Sequence, residues 1–353
     1  MLSLQGFYES VFFKILQETC NDFNVPFDSS IEQMLSGSSP SYLINNGDWD
    51  TYFVSNLLKK VENVDFGLDP LNVAKSEFVE FVLQQNDRQL FWEEYFKNLE
   101  SGTMFEILEH SKRFLSKALR DFKVWKLRMR HSNGATATCS RSSRLLPNGK
   151  VVGGSSIIDK TQDVDGLEFL YYHAQSDMDL RSILSLYPHR EVEPKLTTLK
   201  IKLDAVWKTS KTGRVIGPGP THVVALQNAI GDYLAKVPLK RFCHIDMANA
   251  QEVHKSLVQE YSLSGGYSTL DLKGGSNNIH LALFDYLFSG NREFANLVKL
   301  VCPRVIQFDN KDYNISMLAL QGNGLIMSLQ TLMYYAIIHG VQKYLNEDHP
   351  IYV

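Results

Sequence analysis

Cysteine is scarce and scattered. Cys20, Cys139, Cys243 and Cys302 are the four thiols in 353 residues. They form no Cys-x-x-Cys pair and have no histidine at metal spacing beside them, which argues against a zinc ribbon and against a disulfide framework. The thiols read as reduced and intracellular. Long apolar runs are also missing: the most apolar segment, 325–341, is interrupted by Ser328, Gln330 and His339 and reads as a buried helix rather than a membrane span. The N-terminal residues lack the basic start and continuous apolar core of a secretory signal. There is no global excess of positive charge, since 36 Lys and Arg stand against 39 Asp and Glu for a net charge of −3. Any site for a polyanion therefore has to be local. Neither a Walker A loop nor a Gly-x-Gly-x-x-Gly fingerprint occurs, so the two commonest phosphate-cradling signatures are excluded.

What is present is a composition that builds a core. With 44% hydrophobic residues and 40.2 kDa, the chain has the bulk for two or three subdomains. Residues 1–121 read as helix after helix, with Phe7, Val11, Phe12, Ile15 and Leu16 at helical spacing. Asp69-Pro70 is an N-cap followed by a proline in the first turn, opening another helix. This region carries no catalytic motif and reads as scaffold or partner surface.

At Phe122 the character changes. From there to Ile158 no Asp or Glu occurs, while Lys123, Lys126, Arg128, Arg130, Arg141, Arg144 and Lys150 all do. They surround a loop of small and hydroxyl residues that includes Asn133, Gly134 and Thr136, with Trp125 interleaved. Segregated cations of this kind suit a nucleic-acid backbone, and a merely solvated basic face is the alternative. Further on, Ile201, Leu203 and Val206 alternate as in a strand, Thr209–Gly213 reads as a turn and Val215-Ile216 as the returning strand. Lys208, Lys211 and Arg214 cluster on that hairpin, where cations can clamp a triphosphate or simply decorate a charged turn.

The stretch around which these pieces are arranged is 266–284. Tyr267–Leu272 has strand composition, and Gly274-Gly275-Ser276-Asn277 is turn chemistry leading into a helix. Asp271 lies near the end of the apolar strand. A carboxylate there caps the turn, is paired, or holds a cation, because leaving it unpaired is costly. Later, a hairpin is expected around Asp309-Asn310 and a long helix over 325–341, preceded by the glycine-flanked turn Gly322-Asn323-Gly324.

In this order the pieces resemble the RNA-directed RNA polymerase (replicase) beta subunits of the leviviral single-stranded RNA bacteriophages, over essentially the whole chain. Asn133–Thr138 resembles the family's Gly-Gly-Ala-Thr-Thr-Thr loop, Lys208–Arg214 its basic fingers motif, Thr269–Leu272 the first acidic motif of the palm, and Gly322–Gly324 the second palm motif. The resemblance implies an α+β right-hand polymerase with a helical N-terminal region (1–121), fingers with basic loops (122–245) and a partial palm (246–353), the thumb being absent. It implies that Asp271, with the Leu272 carbonyl, ligates two Mg²⁺ ions for nucleotidyl transfer from an NTP to an RNA 3′-hydroxyl. Lys208, Lys211 and Arg214 would neutralise the triphosphate. Asn277 would contact the ribose, and Gly322, Asn323 and Gly324 would position nucleotide or template. Arg128, Arg130, Asn133, Gly134, Thr136, Arg141 and Arg144 would guide RNA. Host translation elongation factors Tu and Ts are the implied partners, no membrane is involved, and the implied location is the cytoplasm of an infected bacterium.

The chain also departs from the family pattern. Lys273 and Asn277 stand where Ser and a second Asp are usual, and Ile326, Ser328 and Gln330 where the family tends to carry Thr and two Glu. The Gly-Asp-Asp strand is expected directly after Val353. One carboxylate cannot hold two divalent ions against their mutual repulsion, so the expectation is an incomplete chain that is inactive alone, or one half of a split polymerase. A non-catalytic RNA-binding protein is the alternative reading.

Overall fold

The computed structural model describes residues 69–128, 199–209, 212–261 and 275–353, together with the helical positions Lys14, Gln17, Glu18 and Asn21. The described residues are mixed helix and strand, and they pack as two units. One holds 69–79, 204–209 and 212–216; the other holds 80–128, 199–203, 217–261 and 275–353. The strand expected over 267–272 lies outside the described residues.

In the first unit, α1 (Pro70–Asp87) contributes its opening turns. Its start is the one the sequence indicates. Asp69 Oδ1 accepts from the Asn72 backbone N–H at 3.2 Å and Oδ2 from the Asn72 side chain at 2.6 Å, while Pro70 has no N–H to leave unsatisfied. The expected single strand around residue 203 is in fact two. β1 (Lys200–Lys202) belongs to the second unit, and β2 (Asp204–Thr209) pairs antiparallel with β3 (Thr212–Ile216), with a bulge between Trp207 and Thr209. Strand β3 begins at Thr212, so the turn is shorter than the expected 209–213. Gly213 is there for space: a Cβ on it would stand 2.7 Å from the Pro70 carbonyl oxygen and 3.3 Å from Leu71 Cα, so any side chain would push the hairpin off the first turn of α1.

The second unit is mainly helical. Its helices are α2 (Gln89–Lys97), α3 (Thr103–Ala118), α4 (Thr221–Leu234), α5 (Ala250–Tyr261), α6 (Leu281–Leu287), α7 (Arg292–Val301) and α8 (Ile326–Leu345). α4 does not end at Leu234 but widens into a π-helical stretch, Ala235–Phe242, containing Pro238. The proline has no N–H for the α-helical ladder, and beyond it the Cys243 N–H reaches back to the Pro238 carbonyl at 3.2 Å. β1 pairs in parallel with β4 (Val305–Phe308), Lys200 opposite Val305, and β4 pairs antiparallel with β5 (Lys311–Asn314). The β4–β5 turn is the expected Asp309-Asn310, both residues left-handed at φ 48° and 59°, as a tight twist-matched hairpin requires.

These elements enclose one aromatic core. Phe122 meets Phe294 edge-on at 5.2 Å and Tyr233 at 5.1 Å, while Phe288 lies 4.6 Å from Phe284 and 5.4 Å from Phe294. α8 lies along α3 and against α4, burying Leu329, Leu332, Met333 and Ala336. Among the described residues no helix is long and apolar enough to cross a membrane.

Candidate nucleotide and nucleic-acid site

The Gly322-Asn323-Gly324 turn is held in place by α4. Gly322 adopts φ 95°, a backbone conformation that glycine takes without strain. Asn323 is only 8% exposed. Its Oδ1 accepts from the Leu325 N–H at 3.1 Å and its Nδ2 donates to Cys302 Sγ at 3.5 Å. The amide is therefore occupied in turning the chain into α8, and the exposed parts of the turn are Gly322 and Gly324. Beneath it, Gln227 of α4, 3% exposed, donates through Nε2 to the Val301 carbonyl at 2.6 Å and accepts at Oε1 from the Gly324 N–H at 3.3 Å. One buried amide thus ties α4 to the end of α7 and to the turn. The approach is close enough that a Cβ on Gly231 would stand 2.7 Å from the Gly324 oxygen, and one on Gly324 would strike Asn228.

The second predicted stretch arrives beside the same helix. Gly275–Asn277 forms a 3₁₀ turn. Tyr334 Oη of α8 donates to the Gly275 carbonyl at 3.2 Å, and Gln330 Nε2 lies 2.8 Å from where a Gly275 Cβ would be. Folding therefore brings Asn277 to the helix that leaves the Gly-Asn-Gly turn. Asn277 Oδ1 and Gln330 Oε1 are both buried without a hydrogen-bond partner. Orphaned buried acceptors are costly, and each amide oxygen has lone pairs for a donor.

Burial sets the protonation behaviour around the turn. It pushes the Cys302 thiol up to about 12, keeping it a neutral acceptor for Asn323, and lowers the Arg304 guanidinium from its ordinary value. Arg304 leaves both terminal nitrogens buried and unpartnered.

The remaining predicted residues divide in two. Lys208 and Arg214 are carried on the β2–β3 hairpin, Arg214 directly opposite Val206 and Lys208, which is exposed, within the bulge. Arg128 is exposed just after a 3₁₀ turn at Val124–Lys126. Asp271, Leu272, Lys211, Arg130, Asn133, Gly134, Thr136, Arg141 and Arg144 lie outside the described residues. Among the described residues no three His, Cys, Asp or Glu side chains converge, so these residues do not by themselves fit a pair of Mg²⁺ ions.

Comparison with known proteins decides the family. Residues 15–350 match RNA replicase, beta-chain. The chain belongs to the RNA replicase beta-chain family. Among the replicases, it is 23% identical over 335 residues to the RNA-directed RNA polymerase subunit beta of Escherichia virus Qbeta, a match covering 92% of this chain and 52% of that protein. The chain thus spans about half the length of the relative it matches.

Within this chain, Gln227, Asn228 and Tyr334 shape the site without having been expected to from the sequence. The first two had a visible signal, two adjacent amides inside the apolar run Val223–Ile230. A polar pair on a buried helix face needs partners. Tyr334 carried no such signal, because an aromatic residue in an apolar helix reads as core.

Proposed function

We propose that this chain forms the fingers and much of the palm of an RNA-directed RNA polymerase that copies phage RNA in the infected bacterial cell. The observation that carries the proposal is the family match over residues 15–350. Support comes from the packing of the Gly275–Asn277 turn on α8, the helix that follows Gly322–Gly324. In this reading Asn277, on the Gly275–Asn277 turn, contacts the ribose of a bound nucleotide. Gly322 and Gly324 present bare backbone to it, and Asn323 acts by holding the turn rather than by direct contact.

Lys208, Lys211 and Arg214 neutralise the triphosphate, while Arg128, Arg130, Asn133, Gly134, Thr136, Arg141 and Arg144 guide the RNA. Asp271 and the Leu272 carbonyl are the Mg²⁺ ligands implied by the resemblance, and bound Mg²⁺ supplies charge stabilisation of the leaving pyrophosphate. Host elongation factors Tu and Ts are the partners implied with them.

The test is Mg²⁺-dependent incorporation of labelled nucleotide on single-stranded RNA, measured in the native polypeptide context. Asp271→Asn should abolish incorporation while leaving RNA affinity unchanged, and retained synthesis would remove Asp271 from the reaction. A non-catalytic RNA-binding protein is favoured by the neutral residues Asn277, Ile326, Ser328 and Gln330. RNA binding by the wild type with no incorporation under any divalent metal would decide for it.

A further inference from the structure

Trp125 is 56% exposed, the most exposed tryptophan among the described residues, and it is not loose. It stands on the Val124–Lys126 3₁₀ turn, whose flanks are anchored in the core: Phe122 is 3% exposed, Val124 2% and Leu127 6%. The turn closes with the Lys126 N–H on the Lys123 carbonyl and the Leu127 N–H on the Val124 carbonyl, both at 3.0 Å. Glu293 at the start of α7 braces it from the side, accepting from the Val124 N–H at 3.3 Å and from Lys123 Nζ at 3.1 Å. Lys123 Nζ lies 5.6 Å from the centroid of the indole. On so well-fixed a turn the exposed part of the ring keeps one orientation, so its face is available for stacking at little further cost in side-chain entropy.

Its surroundings say what would cover it. Arg120, Lys123, Lys126 and Arg128 are set against two carboxylates, Asp121 and Glu293. Glu293 pairs with Lys123, and Asp121 stands 4.0 Å from Arg120. Lys126 donates to the neutral Asp121 carbonyl at 2.8 Å, and Arg128 has no carboxylate partner among the described residues, so within them both charges are left uncompensated. A rigid ring beside uncompensated cations is the pairing that single-stranded nucleic acid uses, bases stacking on the ring while phosphates meet the cations.

We propose that Trp125 is a base-stacking post for single-stranded RNA, with Lys126 and Arg128 holding the adjacent phosphates. The inference rests on the replicase reading above and adds a contact residue to it. The experiment is fluorescence anisotropy of a short fluorescein-labelled oligouridine titrated with the full chain, at salt between about 50 and 200 mM. Stacking on one ring contributes enough that Trp125→Ala should weaken binding about tenfold. The slope of log affinity against log salt should stay unchanged, and Trp125→Phe should keep most of the affinity. Replacing Lys126 and Arg128 together by Ala should lower that slope by about 1.4, two phosphates' worth for a single strand. Because the indole is exposed, neither ring variant should shift the melting temperature.

Trp125→Ala binding as tightly as wild type would overturn the post, leave the replicase reading standing and make the indole a protein contact. Equal losses in the Phe and Ala variants would also overturn it. Failure of the wild type to bind RNA at all would overturn both.

Discussion

Replacing Gly231 by Ala tests the seat of the Gly-Asn-Gly turn. In an ordinary helix interior this change stabilises by about 1 kcal/mol, because alanine loses less backbone entropy than glycine. Here the new Cβ would stand 2.7 Å from the Gly324 carbonyl oxygen and 3.2 Å from Leu325 Cα. Both neighbours are backbone, and the first is about 0.7 Å short of ordinary contact at 3.4 Å. Relief requires lifting the turn off α4, at about 1–3 kcal/mol of overpacking strain. It also stretches the hydrogen bond from the Gly324 N–H to Gln227, already 3.3 Å long, and its loss adds about 1 kcal/mol. The balance is a net loss of about 1–3 kcal/mol, or roughly 1–4 °C in melting temperature for a chain of this size. Thermal and urea melts followed by circular dichroism measure the loss. Hydrogen exchange at the Gly324 amide reads the local lift and should quicken. A variant as stable as wild type or more so, with unchanged exchange, would show that α4 and the turn are not in contact through Gly231.

Buried groups set the remaining outcomes. Arg304→Met should leave stability unchanged or raise it by about 1–2 kcal/mol, because it removes two buried guanidinium nitrogens that have no partner; a loss above about 1 kcal/mol in urea unfolding would mean that the charge is satisfied in solution. The thiols of Cys243 and Cys302, both pushed up by burial to about 12 from an ordinary 9.0, should resist iodoacetamide at about pH 8, below the thiol range, until the chain is unfolded. Their raised values stabilise the fold fully below the ordinary thiol value of 9.0. Above it the unfolded state gives up protons that the native state keeps, so stability should fall as pH rises from 9.0 toward about 12. Replacing Cys302 by Ala should make that fall shallower, and an unaltered alkaline limb would place its cause in other groups.

Local chemistry carried much of this protein in plain view. Asp69-Pro70 opens α1 because a carboxylate reaching the first turn and a proline without an N–H both suit a helix start, whatever lies around them. Asp309-Asn310 turns the β4–β5 hairpin because these residues tolerate left-handed backbone. The order of short motifs, from the basic loops through Asp271 to Gly322–Gly324, was enough to suggest the replicase family.

Tertiary packing decided the rest. Lys200–Lys202 pairs with Val305–Gln307, far along the chain, and nothing in either segment names its partner; a parallel pairing is chosen by which faces the helices between them bury. Asn323 stands between two glycines, and its side chain is engaged inside the protein with Leu325 and Cys302. Gln227, unremarked in its apolar helix, holds the turn from below. A residue's type bounds the bonds it is able to make, but which of them it makes is settled by the neighbours that folding brings within about 3 Å, and those neighbours are far away in the chain.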